Sequence, residues 1–516
     1  MSGKFVLRYN RIYSDGKRGV LVDTGLEMLK RRLPPAFARE IEDRQREGNL
    51  ISLAGPQGYG VGVRLDREYG VDGEGQEGEP AERSGVRALL DWLASAYEEA
   101  EVRISTDPQQ WILAESADGA LDMLLRGLVP GGGTVLVETP AAPEALELMR
   151  RRGIRAVPVD CDRDGMLPDD LRRKCEVAGG RPAMAYVTPH YSNPSGRVWS
   201  RQRKLALLEV SERLGLPIVI DDTASLVLFA EEGEAGFGNE LEDLIESGPE
   251  GKVKDNTTRR SGIEVQRAQQ AADEVKREAE GESQKEHTAI GEVHVQENSV
   301  DLIKAAGAEG AAGSKRRAQG DRTPLDVLRQ QAGLWGAETV SLGSLERTLT
   351  PQLPLAWLRG EAKTMERLRR VPSPGSSSAA GAAVAERAGR LHAWLAQPPG
   401  RRRAAAAEAA AAYAARRALA LELLQAPAWH GACVEDPGGG LFLWLRLPAG
   451  VSSEALLRAS LLEGTAFLPG TLCYAKEPDD RFIRLTVAAH EPARLHEGLA
   501  RLTAALAEFT ARSADE

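Results

Sequence analysis

Residues 186–222 read YVTPHYSNPSGRVWSRQRKLALLEVSERLGLPIVIDD, and the order of residue types along this stretch decides the fold. It begins inside the apolar run MAYVTP, whose residue types suit a strand. The turn formers HYSNPSG follow. From Arg201 to Leu214 apolar and charged residues recur at helical spacing. PIVID is again a short apolar run, closed by the adjacent carboxylates Asp221 and Asp222. Strand, loop, helix and strand in that order form one βαβ unit, and such a unit implies parallel strands covered by helices.

The same alternation extends toward the N-terminus. Helix-period segments at Val86–Tyr97, Ala117–Leu128 and Pro143–Arg151 are interleaved with the β-rich runs TVLVE and RAVPVD. Residues 24–48 read as an amphipathic helical arm, followed by the Gly- and Pro-broken run ISLAGPQGYG and a Gly/Glu-rich loop over 61–83. The rhythm breaks after about residue 230. Residues 231–322 are crowded with Glu, Lys, Arg, Gln, Gly and Ala and have few apolar clusters, so a mostly disordered insertion is expected there. Beyond it, 340–360 reads as strand, loop, strand and 378–424 as long Ala/Arg-rich helices. Strands in GGGLFLWLRLP, AFLPG and RFIRLTVA and a closing amphipathic helix complete the chain. The expected organisation is an arm over 1–60 and a large α/β domain over 61–230 and 323–375, interrupted by the 231–322 insertion. A small α+β domain spans 376–516.

With 516 residues, 42% of them hydrophobic, the chain can bury a large core in more than one domain. Its formal net charge of -10 lacks the basic excess that drives binding to a phosphate backbone, so nucleic acid is not an expected partner. No apolar run approaches the roughly 20 residues needed to cross a bilayer, and the N-terminus has no signal-type apolar run. A cytoplasmic location without membrane partners is expected. Cys161, Cys175, Cys433 and Cys473 are irregularly spaced, with no zinc-ligand pattern, so no metal site is expected.

The 186–222 stretch resembles the "P-x-x-x-N-P-[ST]-G … D-D" block of the class I and II aminotransferases, the fold-type-I enzymes that use pyridoxal phosphate. WILAESADGALDMLLRGLVPGGGTVLVETPAAPEAL at 111–146 and LGSLERTLTPQLPLAWLRG at 342–360 resemble further blocks of that family. So do PGGGLFLWLRLP at 437–448, FLPG at 467–470 and RFIRLTVA at 481–488. The resemblance covers about 24–230 and 323–510. It implies a large domain on a mostly parallel sheet with a smaller α+β domain, pyridoxal phosphate as cofactor, transamination between an amino acid and a 2-oxo acid, and a homodimer. It also implies roles for single residues: Asn193 at the cofactor's ring oxygen, Asp221 at the pyridine nitrogen, Ser344 at the cofactor and Arg484 on the substrate α-carboxylate. Ser116 and Ala117 open the helix whose backbone N–H groups would meet the phosphate.

Departures from the family pattern are as informative. Arg347 stands at the Schiff-base lysine position, and a guanidinium cannot shed a proton at neutral pH to attack an aldehyde. Pro354 replaces the phosphate-binding arginine, Ala142 the stacking aromatic, and Ala224 a hydroxyl-bearing aromatic, while Asp118 brings negative charge toward the phosphate. A homologue that has lost catalysis is therefore expected. One alternative is an active enzyme using another lysine, with Lys363 and Lys304 as candidates, or one supplied by a partner chain. Another is a ligand-binding or regulatory partner subunit. A regulator fused to a winged helix fits less well, since only about twenty residues precede the arm. His190, beside Asn193 in the expected cleft, reads as structural. Limited proteolysis should cut within 231–322 before any other segment. First cuts within 100–220 would show that the insertion is packed and the domain map wrong.

Overall fold

The computed structural model describes residues 23–32, 34–55, 87, 89–94, 104–129, 131–177, 180–224, 323–345, 355–371, 387, 394, 399–434 and 436–514. The expected insertion, Arg347, Pro354 and Lys304 lie outside them. The described residues fall within one compact unit.

Along the chain come α1 (Thr24–Arg32), α2 (Pro35–Glu47), β1 (Ile51–Leu53), β2 (Trp111–Ala114), α3 (Ala117–Leu128), β3 (Thr134–Thr139) and α4 (Pro143–Arg151). Then follow β4 (Arg155–Asp162), β5 (Gly165–Met166), α5 (Pro168–Val177), β6 (Met184–Val187), α6 (Arg201–Leu214) and β7 (Ile218–Asp221). Beyond residue 322 are α7 (Leu325–Gln331), β8 (Thr339–Ser344), β9 (Ala356–Gly360), α8 (Ala362–Arg369) and α9 (Pro399–Leu423). The chain ends with β10 (Cys433–Val434), β11 (Phe442–Arg446), α10 (Ser453–Leu462), β12 (Thr465–Pro469), β13 (Phe482–Thr486) and α11 (Pro492–Ala514). Four helices, α5, α7, α8 and α10, went unread in the sequence; α5 buries only Asp170 and Leu171, too few positions to show a period.

The large sheet runs β2-β9-β8-β7-β6-β3-β4-β5. β3 pairs in parallel with both β4 and β6, and β6–β7 and β7–β8 continue in parallel. β9 joins antiparallel between β8 and β2, and β5 closes the far edge. The chain steps from β3 out to β4 and then returns to the other side of β3 for β6. That reversal creates a switch point whose crevice opens at the carboxyl ends of the strands, where open α/β sheets bind ligands.

Every residue of β6 and β7 is buried, as expected of parallel strands covered on both faces. Alternation along the strands divides the core. Tyr186, Val219 and Leu342 face the helix that carries Leu121 and Leu125, whereas Val187, Ile218 and Ile220 face Leu207 and Leu325. The Leu-Gly-Ser of β8 needs its glycine: a Cβ on Gly343 would lie 2.3 Å from the indole of Trp357, its partner on β9. The second sheet, β1-β12-β13-β11-β10, draws in the arm, because Ile51 on β1 pairs in parallel with Thr465 on β12. Leu29, Ile41 and Leu53 share one core with Phe467, Leu485 and Leu499.

Glu138 on β3 is buried and accepts from the backbone N–H of Thr188 at 2.9 Å and from the Thr188 hydroxyl. Burial pushes its carboxyl up to about 8. Below the ordinary carboxylate range both folded and unfolded chains hold this proton. As pH rises from there toward 8 only the folded chain keeps it, so stability falls by up to about 1.4 kcal/mol per pH unit. Urea unfolding from about pH 5 to about pH 8 should show this slope, and Glu138→Gln should flatten it.

Candidate functional site

A helix, a loop and a strand position meet at the carboxyl edge of the large sheet. Pro143 occupies the first turn of α4, where its missing N–H costs nothing, and so places Glu144 at a helix N-terminus that favours a carboxylate. Asn193 lies in the Asn-Pro-Ser-Gly loop after β6. That loop is pressed against the C-terminal segment: Gly196 has a φ of +71°, and a Cβ on it would lie 2.7 Å from the Pro437 ring. Arg484 comes from β13, in the middle of the second sheet, and is 0% exposed.

The three side chains close a ring. Arg484 Nη2 donates to Glu144 Oε1 at 3.0 Å and Nη1 to Glu144 Oε2 at 3.3 Å, a two-pronged grip on a carboxylate. Nη1 also donates to Asn193 Oδ1 at 2.6 Å, and Nη2 to the Ala54 carbonyl at 2.7 Å. The Asn193 amide donates to Glu144 Oε2 at 3.0 Å. The guanidinium carbon lies 4.3 Å from the centre of the Phe442 ring. Sequence reading singled out Arg484 and Asn193 but missed Glu144, which looks like an ordinary acid in the first turn of a surface helix.

Asp221, also buried, accepts from the Tyr186 hydroxyl at 2.5 Å and from the Thr223 N–H and hydroxyl at 3.0 and 2.6 Å. Ser116 caps α3 by accepting from the Gly119 N–H at 3.1 Å. The Ser344 hydroxyl donates to the Leu355 carbonyl at 3.2 Å. Ala117, Asp118, Ala142, Glu144, Tyr186 and Asp221 line a common cavity of about 10 Å³, room for about one water molecule. Asn193 and Arg484 reach it through Glu144. Lys363 is exposed on α8 and does not line it.

His190 is not in this cavity. Its Nδ1 lies 2.7 Å from Asp222 Oδ1 and its Nε2 lies 2.8 Å from Lys204 Nζ, and Lys204, fully buried on α6, also donates to the Thr323 carbonyl at 2.9 Å. Alternation at the end of β7 explains the difference: Asp221 follows Val219 toward the α3 side, and Asp222 follows Ile220 toward the α6 side. Lys204, which RQRKLALL presents as a solvated basic residue, is thereby held on the opposite face from Asp221.

The family profile for aminotransferase class I and II matches residues 353–502. Residues 353–502 thus match the class I and II aminotransferases, and a weaker likeness to proteins named as aminotransferases extends over most of the chain. It is 19% identical to aromatic-amino-acid aminotransferase 1 of Thermococcus litoralis, over 82% of this chain and 77% of that protein. It is also 21% identical to an uncharacterized HTH-type transcriptional regulator of Bacillus subtilis, over 95% of this chain and 80% of the relative. In structure it resembles the α-aminoadipate aminotransferase of Thermus thermophilus, solved as a complex with N-(5'-phosphopyridoxyl)-L-leucine. That likeness has a TM-score of 0.59 at 19% identity, covering 94% of this chain and 99% of the other.

Pyridoxal phosphate is the cofactor that this likeness implies, and the described side chains, as arranged, do not fit it. The space at Asp221 admits a water, not a phosphorylated pyridine. The charged side chains that line that cavity are all acidic, Asp118, Glu144 and Asp221. Each carboxylate about 5 Å from a phosphate would cost roughly 3 kcal/mol at an effective dielectric of 20. The nearest described cation, Arg484, is already engaged. Glu144→Ala should strand this buried guanidinium and lower the unfolding free energy by about 3–5 kcal/mol in urea titration. Added acetate or propionate should restore part of that loss in the variant and leave the parent protein unchanged.

Proposed function

We propose that this chain is an aminotransferase homologue that has lost transamination and keeps its cleft as a carboxylate-sensitive, self-closed site. The observation that carries the proposal is that Arg484, matched to the arginine of the substrate carboxylate, is already gripped by Glu144 and Asn193. Glu144 acts as a built-in carboxylate, so a small amino acid or 2-oxo acid enters only by displacing it. Arg347 at the lysine position supports the same reading, because it supplies no nucleophile. The roles of Asn193, Asp221, Ser116, Ala117 and Ser344 toward a cofactor are part of this proposal in a weakened form: they retain positions, while the charge and space around them oppose the phosphate.

A second reading, a ligand-binding regulatory protein or partner subunit, is favoured by the match along 95% of this chain to a relative described as a transcriptional regulator. Both readings require a site that binds without turning over. The competing one, an active enzyme using a different lysine, requires a lysine near Asp221. Among the described lysines, Lys204 is bound to His190 on the other face and Lys363 is on the surface.

Protein purified from cells supplied with vitamin B6, reduced with borohydride and analysed by peptide mass spectrometry, should carry no phosphopyridoxyl-lysine. A stoichiometric adduct on one lysine would overturn the proposal. Arg347→Lys alone should bind pyridoxal phosphate weakly, and Arg347→Lys with Pro354→Arg should bind it at least about tenfold more tightly, as read by visible absorbance titration.

A further inference from the structure

The ring around Arg484 opens only by an exchange of ions. Arg484 is 0% exposed beneath Glu144, Asn193, Ala54 and Phe442, and of these only Glu144 also lines the cavity beside Asp221. A turn about its own side-chain bonds therefore moves the Glu144 carboxylate off the guanidinium toward that cavity. The two guanidinium N–H groups and the Asn193 amide that held it are then offered to an incoming carboxylate.

The leaving carboxylate decides which ligand can take its place. While the ring is closed, one buried cation meets one buried anion at two contacts. A 2-oxo acid or other simple carboxylate on Arg484 keeps the cation paired but takes the guanidinium away from Glu144. Turning into the cavity gives Glu144 no replacement, since the other charged side chains that line it, Asp118 and Asp221, are also acidic. Asp221 already uses both oxygens, one for the Tyr186 hydroxyl and one for Thr223. Taking a buried carboxylate from its cation weakens binding by about two to three powers of ten. An ammonium beside the ligand's carboxylate removes that cost, because the ligand then brings a cation for Glu144 together with an anion for Arg484. The number of ion pairs is the same before and after.

Resting on the closed-cleft reading above, we infer that Glu144 selects ligands for this site by charge: it yields Arg484 to a small α-amino acid, whose ammonium it receives, and not to a 2-oxo acid or other simple carboxylate. Space limits the ligand as well. The room released is that of one carboxylate beside a cavity of about 10 Å³, so glycine is the expected best fit.

Calorimetric titration of the full chain with glycine, acetate and pyruvate tests this. Glycine should saturate, and acetate and pyruvate should bind about a hundredfold more weakly. In Glu144→Gln, whose side chain has no charge to leave unpaired, acetate should bind at least as tightly as glycine. In Glu144→Asp, which keeps the charge, glycine should stay ahead by about tenfold or more. Circular dichroism shows whether each variant is folded, and the comparison in the parent protein stands by itself if they are not. Acetate or pyruvate binding the parent as tightly as glycine would overturn the inference and leave the closed-cleft reading standing. A folded Glu144→Gln that still prefers glycine by about a hundredfold would do the same, because the ammonium would then be received elsewhere. No saturation by glycine up to about 50 mM also overturns it. In that event acetate stabilising Glu144→Ala keeps the closed-cleft reading, and acetate without effect on that variant ends both.

Discussion

A buried guanidinium must be paired, and here the pairing of Arg484 with Glu144 governs the rest of the site. Removing both charges from water costs several kcal/mol per ion, which only close, multiple contacts offset. Arg484 meets that demand with Glu144, Asn193, the Ala54 carbonyl and the face of Phe442. Each partner comes from a different part of the chain: the start of α4, the loop after β6, the end of the arm and β11. The ring therefore ties both sheets and the arm together, and while it is closed no other carboxylate has access to Arg484.

The parallel sheet creates this meeting point and also separates it from the chain's other buried charges. Reversal of strand order at β3 brings Glu144 and Asn193 to one crevice. Strand alternation then sorts neighbouring residues by face. Asp221 serves the cleft and Asp222 serves the His190–Lys204 chain behind it, one residue apart in sequence and on opposite sides of the sheet. Asp326 and Arg359 belong to that rear face too. Lys204, so close in sequence to the Asn-Pro-Ser-Gly loop, is thus held on the face away from Asp221.

Much of this architecture was legible in the sequence because hydrophobic period and turn residues are local signals. The boundaries of α3, α4 and α6 follow from capping serines, Pro143 and the left-handed Gly215, and the fully apolar β6 and β7 announce a covered parallel sheet. Family resemblance added Asn193, Asp221 and Arg484. What it did not disclose is non-local. Glu144 and Arg484 are 340 positions apart, and nothing near Glu144 distinguishes it from a helix-start acid. Lys204 sits in a run of basic residues that reads as solvated, and its burial depends on His190 and Thr323 arriving from elsewhere. The short α7, which carries Asp326 and Arg329, has too few turns to show a period.

Pairing of Glu144 with Arg484 as the element that closes the site is tested most directly by a double-mutant cycle in urea unfolding, using Glu144→Gln, Arg484→Met and the two combined. Each single change leaves a buried charge without its partner, whereas the double change removes both charges, so a coupling of about 2–3 kcal/mol is expected and the double variant should lose much less than the sum of the two single losses. Strictly additive losses, with a coupling near zero, would show that the two residues are buried independently and that the cleft is not closed by their contact.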